Sequence, residues 1–421
     1  MRELRSAGIV AVGSELLTAF RQDTNSLFLA GRLNDLGIGV RAKAVVGDHR
    51  GDLAAVIREA MARADVVITT GGLGPTDDDL TREVVADLLG LPMEERPEIL
   101  AVIQARFERR RVPMPAINRR QAQVPRGARA LANPNGTAPG LWIETGDQLV
   151  VLLPGPPREL QPMFDTYVAP GLEAAAGGRR LRRRVVKVHG RSESQVEETA
   201  YPIYSQIGDE AVPVETTILA TPGQIELHLT AGGTDVPLID ARLDDGARRL
   251  VAALGDVVFS DDGRSLEKVA GDALKARGWR VAAAESCTGG LLLGRLTDVP
   301  GSSTWVAGGV VAYANEVKID QLGVPRDVLD AHGAVSEPVA LAMAHGVRVR
   351  LGADVGVAIT GIAGPDGGTE TKPVGTVVIA VTGPKTVVKT LWFPGDRSMV
   401  RAFSVASAID LVRRVSLDPP A

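Results

Sequence analysis

Over residues 8–170 the apolar positions switch repeatedly between two periods. Gly8-Ile-Val-Ala-Val12 is a short, continuous apolar run, and so is the β-branched stretch 65–70, DVVITT. Runs of this length predict strands covered on both faces. VRAKAVV, 40–46, reads as a further strand. Between them, NSLFLAGRLNDLG places Leu27, Ala30 and Leu33 near helical spacing and stops at Gly37, and GDLAAVIREAMARA places Leu53, Val56, Ile57 and Ala60 on one face. After 65–70 the chain passes through GGLGPTDDD into a third helical stretch, LTREVVADLLG, with Asp79 placed to cap it. Buried strands alternating with helices predict a parallel or mostly parallel α/β sheet.

The pattern changes at 171–184, GLEAAAGGRRLRRR, where small residues, glycines and a basic cluster predict a boundary. VVKVHG and QIELHLTAGG then read as strands around the helical SESQVEETAYPIYSQ, a small α+β module over 171–258. DDGRSLEKVAGDALKARGW opens a third region, 259–421, with Leu266, Val269, Ala270, Ala273 and Leu274 on one helix face. There the strands RVAAAES, WVAGGVVAYA, DVGVAIT, TVVIAVTG and TVVKTLWF follow or precede the helices TGGLLLGRLTD, EPVALAMAHGVRVRLG and a long one from Asp396. The expected fold class is α/β, with two α/β domains (1–170 and 259–421) joined by the small module. No repeat of fixed period is evident.

Composition narrows the function classes. A chain of 421 residues, 45% hydrophobic and 23% charged, is expected to fold as several globular domains. A net charge of −4 and only 4% aromatics supply neither the basic field nor the stacking platforms of nucleic-acid binding. The arginine runs 106–111 and 179–184 are accordingly expected on solvated faces, and nucleic acid is not an expected partner. The single cysteine, Cys287, cannot form an internal disulfide or a zinc ribbon, which suits a reducing cytoplasm. The first residues lack a signal peptide's apolar core, and no stretch approaches the roughly 20 apolar residues of a membrane span.

Candidate chemistry concentrates at two places. GGLGPTDDDLT sets glycines directly after a buried strand, where backbone N–H groups approach a phosphate, and three aspartates, Asp77, Asp78 and Asp79, whose charge calls for a divalent ion such as magnesium or manganese. The plainer alternative, aspartates favouring a helix start, stays open. In the third region ESCTGG places Ser286, Cys287 and Thr288 between a buried strand and a helix start; GSS offers Ser302 and Ser303; YANEVK offers Tyr313, Asn315 and Lys318. The five histidines form no HxxxH or HxH pair; His332 reads as a loop residue and His345 as one on an apolar helix. Without a placed histidine a Ser–His–Asp triad is not expected. The residues allow a serine paired with a desolvated lysine, and Cys287 as nucleophile is the alternative, against its plainer reading as a small buried residue.

GGLGPTDDDLT resembles the signature of the molybdopterin-binding fold, with Asp79 and Thr81 on its aspartate and threonine. GSELL, DTNS (from Asp23), NPNGTAPG and LLPGPPREL, in that order, resemble the N-terminal domain of the CinA family, although Thr18-Ala19-Phe20-Arg21 stands where the family has a glycine. ESCTGG, GSS, YANEVK, HGAVSEPVA, ITGIAGPDGGTETKPVGTV and FPGDR resemble that family's C-terminal domain, and the middle module resembles its KH-like segment, without the GXXG loop that clamps RNA. The resemblance implies two activities. The first domain would cleave ADP-ribose with a divalent metal (magnesium, manganese or cobalt) at Asp79, Asp78 and Asp23, its substrate held by Gly71, Gly72, Gly74 and Thr81. The third would hydrolyse nicotinamide mononucleotide without a cofactor. Its implied catalytic set is Ser303 as the preferred nucleophile, Lys318 as base, Ser286 as supporting or rival hydroxyl and Tyr313 as assistant. Its implied substrate contacts are Thr288, Gly289, Gly290, Asn315, Thr360, Gly361, Gly364 and Arg397. A cytoplasmic homodimer is implied. A non-catalytic role in competence or DNA damage, and pterin handling, are the alternatives.

Overall fold

The computed structural model describes residues 4–146, 148–208 and 212–417. They form two compact units, one drawn from residues 4–182 with 231–241, the other from residues 183–230 with 242–417.

In the first unit six strands form one sheet: β1 (Ser6–Val12), β2 (Gly39–Val46), β3 (Val66–Thr70), β4 (Arg129–Leu131), β5 (Gly140–Thr145) and β6 (Gln148–Leu153), in the order β2-β1-β3-β6-β5-β4. The four strands from β2 to β6 are parallel, and β5 and β4 are antiparallel additions. Every residue of β3 is buried, as its unbroken apolar run demands. The helix Asn25–Asp35 is rotated from the predicted face: Leu29 and Leu33 are buried and Leu27 is 57% exposed. The cause is Asn25, drawn inward because its Nδ2 donates to Thr70 Oγ1 at 2.8 Å and to the Gly155 carbonyl at 2.6 Å.

The middle segment contributes β7 (Arg180–His189), β8 (Glu215–Thr221), β9 (Gln224–Gly233) and β10 (Val258–Ser260), ordered β8-β9-β7-β10, with helices Glu193–Gly208 and Val236–Leu254. The run 179–184 is not simply solvated: Arg182 pairs with Asp240 and Arg184 with Asp244.

The second unit also holds a five-stranded sheet of β11 (Val281–Glu285), β12 (Val306–Val311), β13 (Val355–Gly361), β14 (Thr376–Thr382) and β15 (Val387–Trp392), ordered β12-β11-β13-β14-β15. The first three are parallel and the last two antiparallel. Side chains of one parity, such as Ala283, Val357 and Ile379, pack with the helices Leu266–Arg277 and Arg397–Leu417; the other parity, Ala282, Ala284 and Ala358, packs with Glu337–Arg350. The carboxyl ends of three parallel strands thus open at one edge, the usual place for a ligand in such sheets. His332 closes the short helix Arg326–His332 instead of lying in a loop. No helix among the described residues is long and apolar enough to cross a membrane.

Candidate active sites

The edge formed by β11, β12 and β13 gathers most of the third region's chemistry. Ser286 leaves the end of β11, its N–H donating to the Ile359 carbonyl at 2.9 Å. Lys318 sits one turn into the helix Asn315–Leu322 and is 1% exposed. Its Nζ donates to the carbonyls of Ala312 at 2.9 Å and Tyr313 at 3.0 Å and lies 3.4 Å from Ser286 Oγ. Burial pushes the Lys318 amine below its ordinary range. A neutral amine that gives two hydrogens to carbonyls keeps a lone pair for the third direction, where Ser286 lies.

The preferred pairing of Lys318 with Ser303 does not form. Val281 faces Val306 and Glu285 faces Val311 in the β11–β12 register, so Ser303 precedes the amino end of β12 while Ser286 leaves the carboxyl end of β11. A five-residue strand separates the two ends by about 17 Å. Ser303 is exposed on the short turn Ser302–Thr304. The serine beside the lysine is Ser286.

Cys287, next in sequence, is 5% exposed, and burial pushes its thiol up to about 11. A thiol held protonated at neutral pH is a poor nucleophile. Cys287→Ser is therefore expected to keep most of the amide-hydrolysing activity proposed below, measured as ammonia release.

Around the pair, Arg397 at the start of the helix Arg397–Leu417 donates to the Gly364 carbonyl at 2.8 Å and to the Tyr313 hydroxyl at 3.1 Å, joining three predicted residues. Thr360 is buried and donates to the Ala334 carbonyl at 2.8 Å, so its hydroxyl shapes the strand end where Gly361 follows. Asn315 is exposed at the start of its helix. Thr288 is fully buried with an unpartnered hydroxyl, and its carbonyl accepts from Arg401, a cation that no motif had singled out. Glu285 was also missed. Its fully buried carboxylate accepts N–H groups from Gly290, Leu292 and Leu293, each at 3.0 Å, and so ties the start of the helix Leu291–Thr297 to the end of β11. Gly289 turns the chain back with φ +59° and donates to the Ser286 carbonyl.

The first unit carries a cavity of about 440 Å³ at the ends of β1, β3 and β6. Gly71 has φ +103°, and a Cβ there would lie 2.1 Å from the Val12 carbonyl oxygen, so only glycine fits. Arg82, fully buried, clamps the carbonyls of Leu73 and Gly74, while the Thr81 hydroxyl donates to the Gly71 carbonyl at 3.0 Å. Thr81 therefore holds the loop from behind and does not line the cavity. Asp79 does not cap the following helix, whose N-cap is Leu80; its Oδ2 accepts the Thr76 N–H at 2.9 Å and the Thr76 hydroxyl, closing the loop under Gly74. Arg106 and Arg110, expected on a solvated face, line the cavity with Arg158.

The predicted three-aspartate metal set does not assemble: Asp23 lies off the cavity and accepts the Ser26 N–H at 3.0 Å. No group of three or more His, Cys, Asp or Glu among the described residues is placed to hold a metal. Asp78 and Asp79 both line the cavity, and magnesium-type ions commonly use one or two carboxylates with substrate phosphates, so these two residues fit that lesser role.

The sequence pattern of the CinA C-terminal domain matches residues 263–416, and the "Probable molybdopterin binding domain" matches residues 8–174. A "CinA-like protein" of Koribacter versatilis is 47% identical over 414 residues, covering 97% of this chain and 99% of its own length. The chain belongs to the CinA family. A second CinA-like protein, from Acidobacterium capsulatum, is 46% identical over 413 residues, with 97% of this chain and 99% of the relative covered. Among solved structures, the competence/damage inducible protein CihA from Agrobacterium tumefaciens is 40% identical over 35% of this chain and 92% of its own, with a TM-score of 0.34. The two CinA-like proteins match nearly end to end, and both of the sites described above fall inside the matched family domains.

Proposed function

We propose that the Ser286–Lys318 site hydrolyses the carboxamide of nicotinamide mononucleotide to nicotinate mononucleotide and ammonia. The observation that carries this reading is the buried amine of Lys318, 3.4 Å from Ser286 Oγ and turned toward it by two carbonyls. Ser286 Oγ attacks the carboxamide carbon as Lys318 Nζ takes its proton, and the lysine returns that proton to the departing ammonia. Water, deprotonated by the same amine, then attacks the acyl-serine; the lysine passes that proton to the leaving Ser286 Oγ, and the product departs as the carboxylate. The N–H groups of Cys287 and Thr288 bond no other backbone group among the described residues and are the available donors for the oxyanion. Arg397 and Arg401 supply positive charge for the substrate phosphate.

A sign follows for pH. Only the unprotonated amine accepts the serine proton, and burial lowers its pKa, so kcat/KM is expected to rise with pH on a limb below the ordinary lysine value of about 10.4. A profile of ammonia release from pH 6 to 10 checks this. A rate independent of pH over that range contradicts the lysine's role.

For the first unit we propose cleavage of the pyrophosphate of ADP-ribose. Support comes from the 440 Å³ cavity, which is lined both by the loop from Gly71 to Gly74 and by Arg106, Arg110 and Arg158. A divalent cation at Asp78 and Asp79 would neutralise phosphate charge when bound. Asp79→Ala opens the loop at Thr76, and a misplacement of about 1 Å costs on the order of 10²-fold in rate. AMP release from ADP-ribose with added divalent cation should fall by that order while ammonia release is unchanged. Undiminished AMP release removes Asp79 from the reaction, and none from the wild-type protein favours binding without turnover.

A further inference from the structure

We propose that a cavity of the second unit, separate from the Ser286–Lys318 edge, is a binding site for a small molecule that joins a planar ring to a phosphate. Its volume, about 660 Å³, falls in the range of small-molecule sites, about 300–1,000 Å³. It lies between the middle module and the antiparallel side of the five-stranded sheet, and no step proposed above uses it.

Three observations fix the ligand class. The first is an aromatic wall. The rings of Phe393 and Phe403 stack with centroids 5.5 Å apart and planes at 11°, and both line the cavity. Such a wall accepts a flat apolar ring.

The second is His189, 7% exposed and lining the cavity. Its Nδ1 donates to the Gly223 carbonyl, and burial favours the neutral ring. In the neutral ring Nε2 is the acceptor, and Asp410 lies within electrostatic reach of the same ring. As His189 lines the cavity, that acceptor is open to a donor on the ligand.

The third is charge at the mouth. The helix Glu193–Gly208 has sixteen residues and begins at the cavity, presenting the positive end of its dipole. Arg191 and Lys389 are exposed there without an acidic partner among the described residues. The deeper charges cancel, since Asp410 accepts from Arg413 and Arg414, and Arg414 also pairs with Asp256. Glu193 opposes with one charge, leaving two free cations against one carboxylate.

Adenosine monophosphate has the required parts: a flat ring, an amino donor for His189 and a phosphate. The test is calorimetric titration of the full chain with adenosine monophosphate, adenosine and inorganic phosphate. Adenosine monophosphate should bind at least tenfold more tightly than either fragment. Two variants outside both active sites address the location: the charge reversal Arg191→Glu with Lys389→Glu, and Ser407→Trp, which fills the cavity from its half-buried wall. Each should weaken or remove one binding component by at least tenfold, while Ser286→Ala and Asp79→Ala leave it intact. Absence of binding by the wild-type chain, equal affinity for adenosine, or isotherms unchanged in both cavity variants would overturn the proposal. Ammonia release from nicotinamide mononucleotide by the variants, tested without added adenosine monophosphate, should stay at wild-type level and thereby report an intact fold.

Discussion

Lys318→Met and Ser286→Ala are each expected to lower ammonia release from nicotinamide mononucleotide by about 10³-fold or more, and Ser303→Ala to leave it unchanged. A positioned base alone is worth about 10²–10⁴-fold, and Lys318 is the amine placed beside Ser286 Oγ. Methionine keeps much of the buried stem's volume, so the fold should survive the loss of the amine. Nucleophile and base act as one unit, and the double variant should be little slower than either single one. Ser303 stands at the opposite end of the sheet, out of reach of Lys318. Steady-state rates of the four variants decide the matter. Full activity in Ser286→Ala, or collapse in Ser303→Ala, would reverse the assignment.

Glu285→Gln is expected to destabilise the second unit by on the order of 3 kcal/mol and to reduce the amidase rate together with it. The carboxylate offers acceptors on both oxygens to three N–H groups. The amide of glutamine replaces one acceptor with a donor aimed at those N–H groups, in a place no water reaches, since Glu285 is fully buried. Ser286 is the next residue, so the same loss loosens the nucleophile and the two N–H groups behind it. Urea unfolding and ammonia release measured on one preparation test both halves. Unchanged stability with unchanged rate would show that the helix start needs no such anchor.

The strands were readable because β3, β11 and β13 are apolar runs buried on both faces, a pattern with little ambiguity. Facing choices were harder. Leu27 looked like core by spacing, but two hydrogen bonds of the neighbouring Asn25 turn that helix so that Leu29 takes the place. The site was half legible for a similar reason. Sequence order shows that Ser286 and Ser303 both lie in loops beside β-strands, yet which sheet edge each occupies follows from the parallel register of β11 and β12, a long-range property. Glu285 was hidden inside the run RVAAAES, where a strand-end carboxylate has no local signature until the next helix folds back on it. Arg106 and Arg110 looked solvated because charge runs usually are, and the helix Pro97–Arg109 and its following residue carry them to the cavity wall. Asp79 went the other way: its neighbours suggested a helix cap or a metal ligand, and Thr76 takes one of its oxygens.

The most direct test of the serine–lysine assignment is to mix the full chain with excess nicotinamide mononucleotide, quench in acid within the first turnovers and map the modified peptide by mass spectrometry. The expected result is an acyl adduct, substrate minus ammonia, on Ser286, absent from Ser286→Ala. An adduct on Cys287 or Ser303 would contradict it.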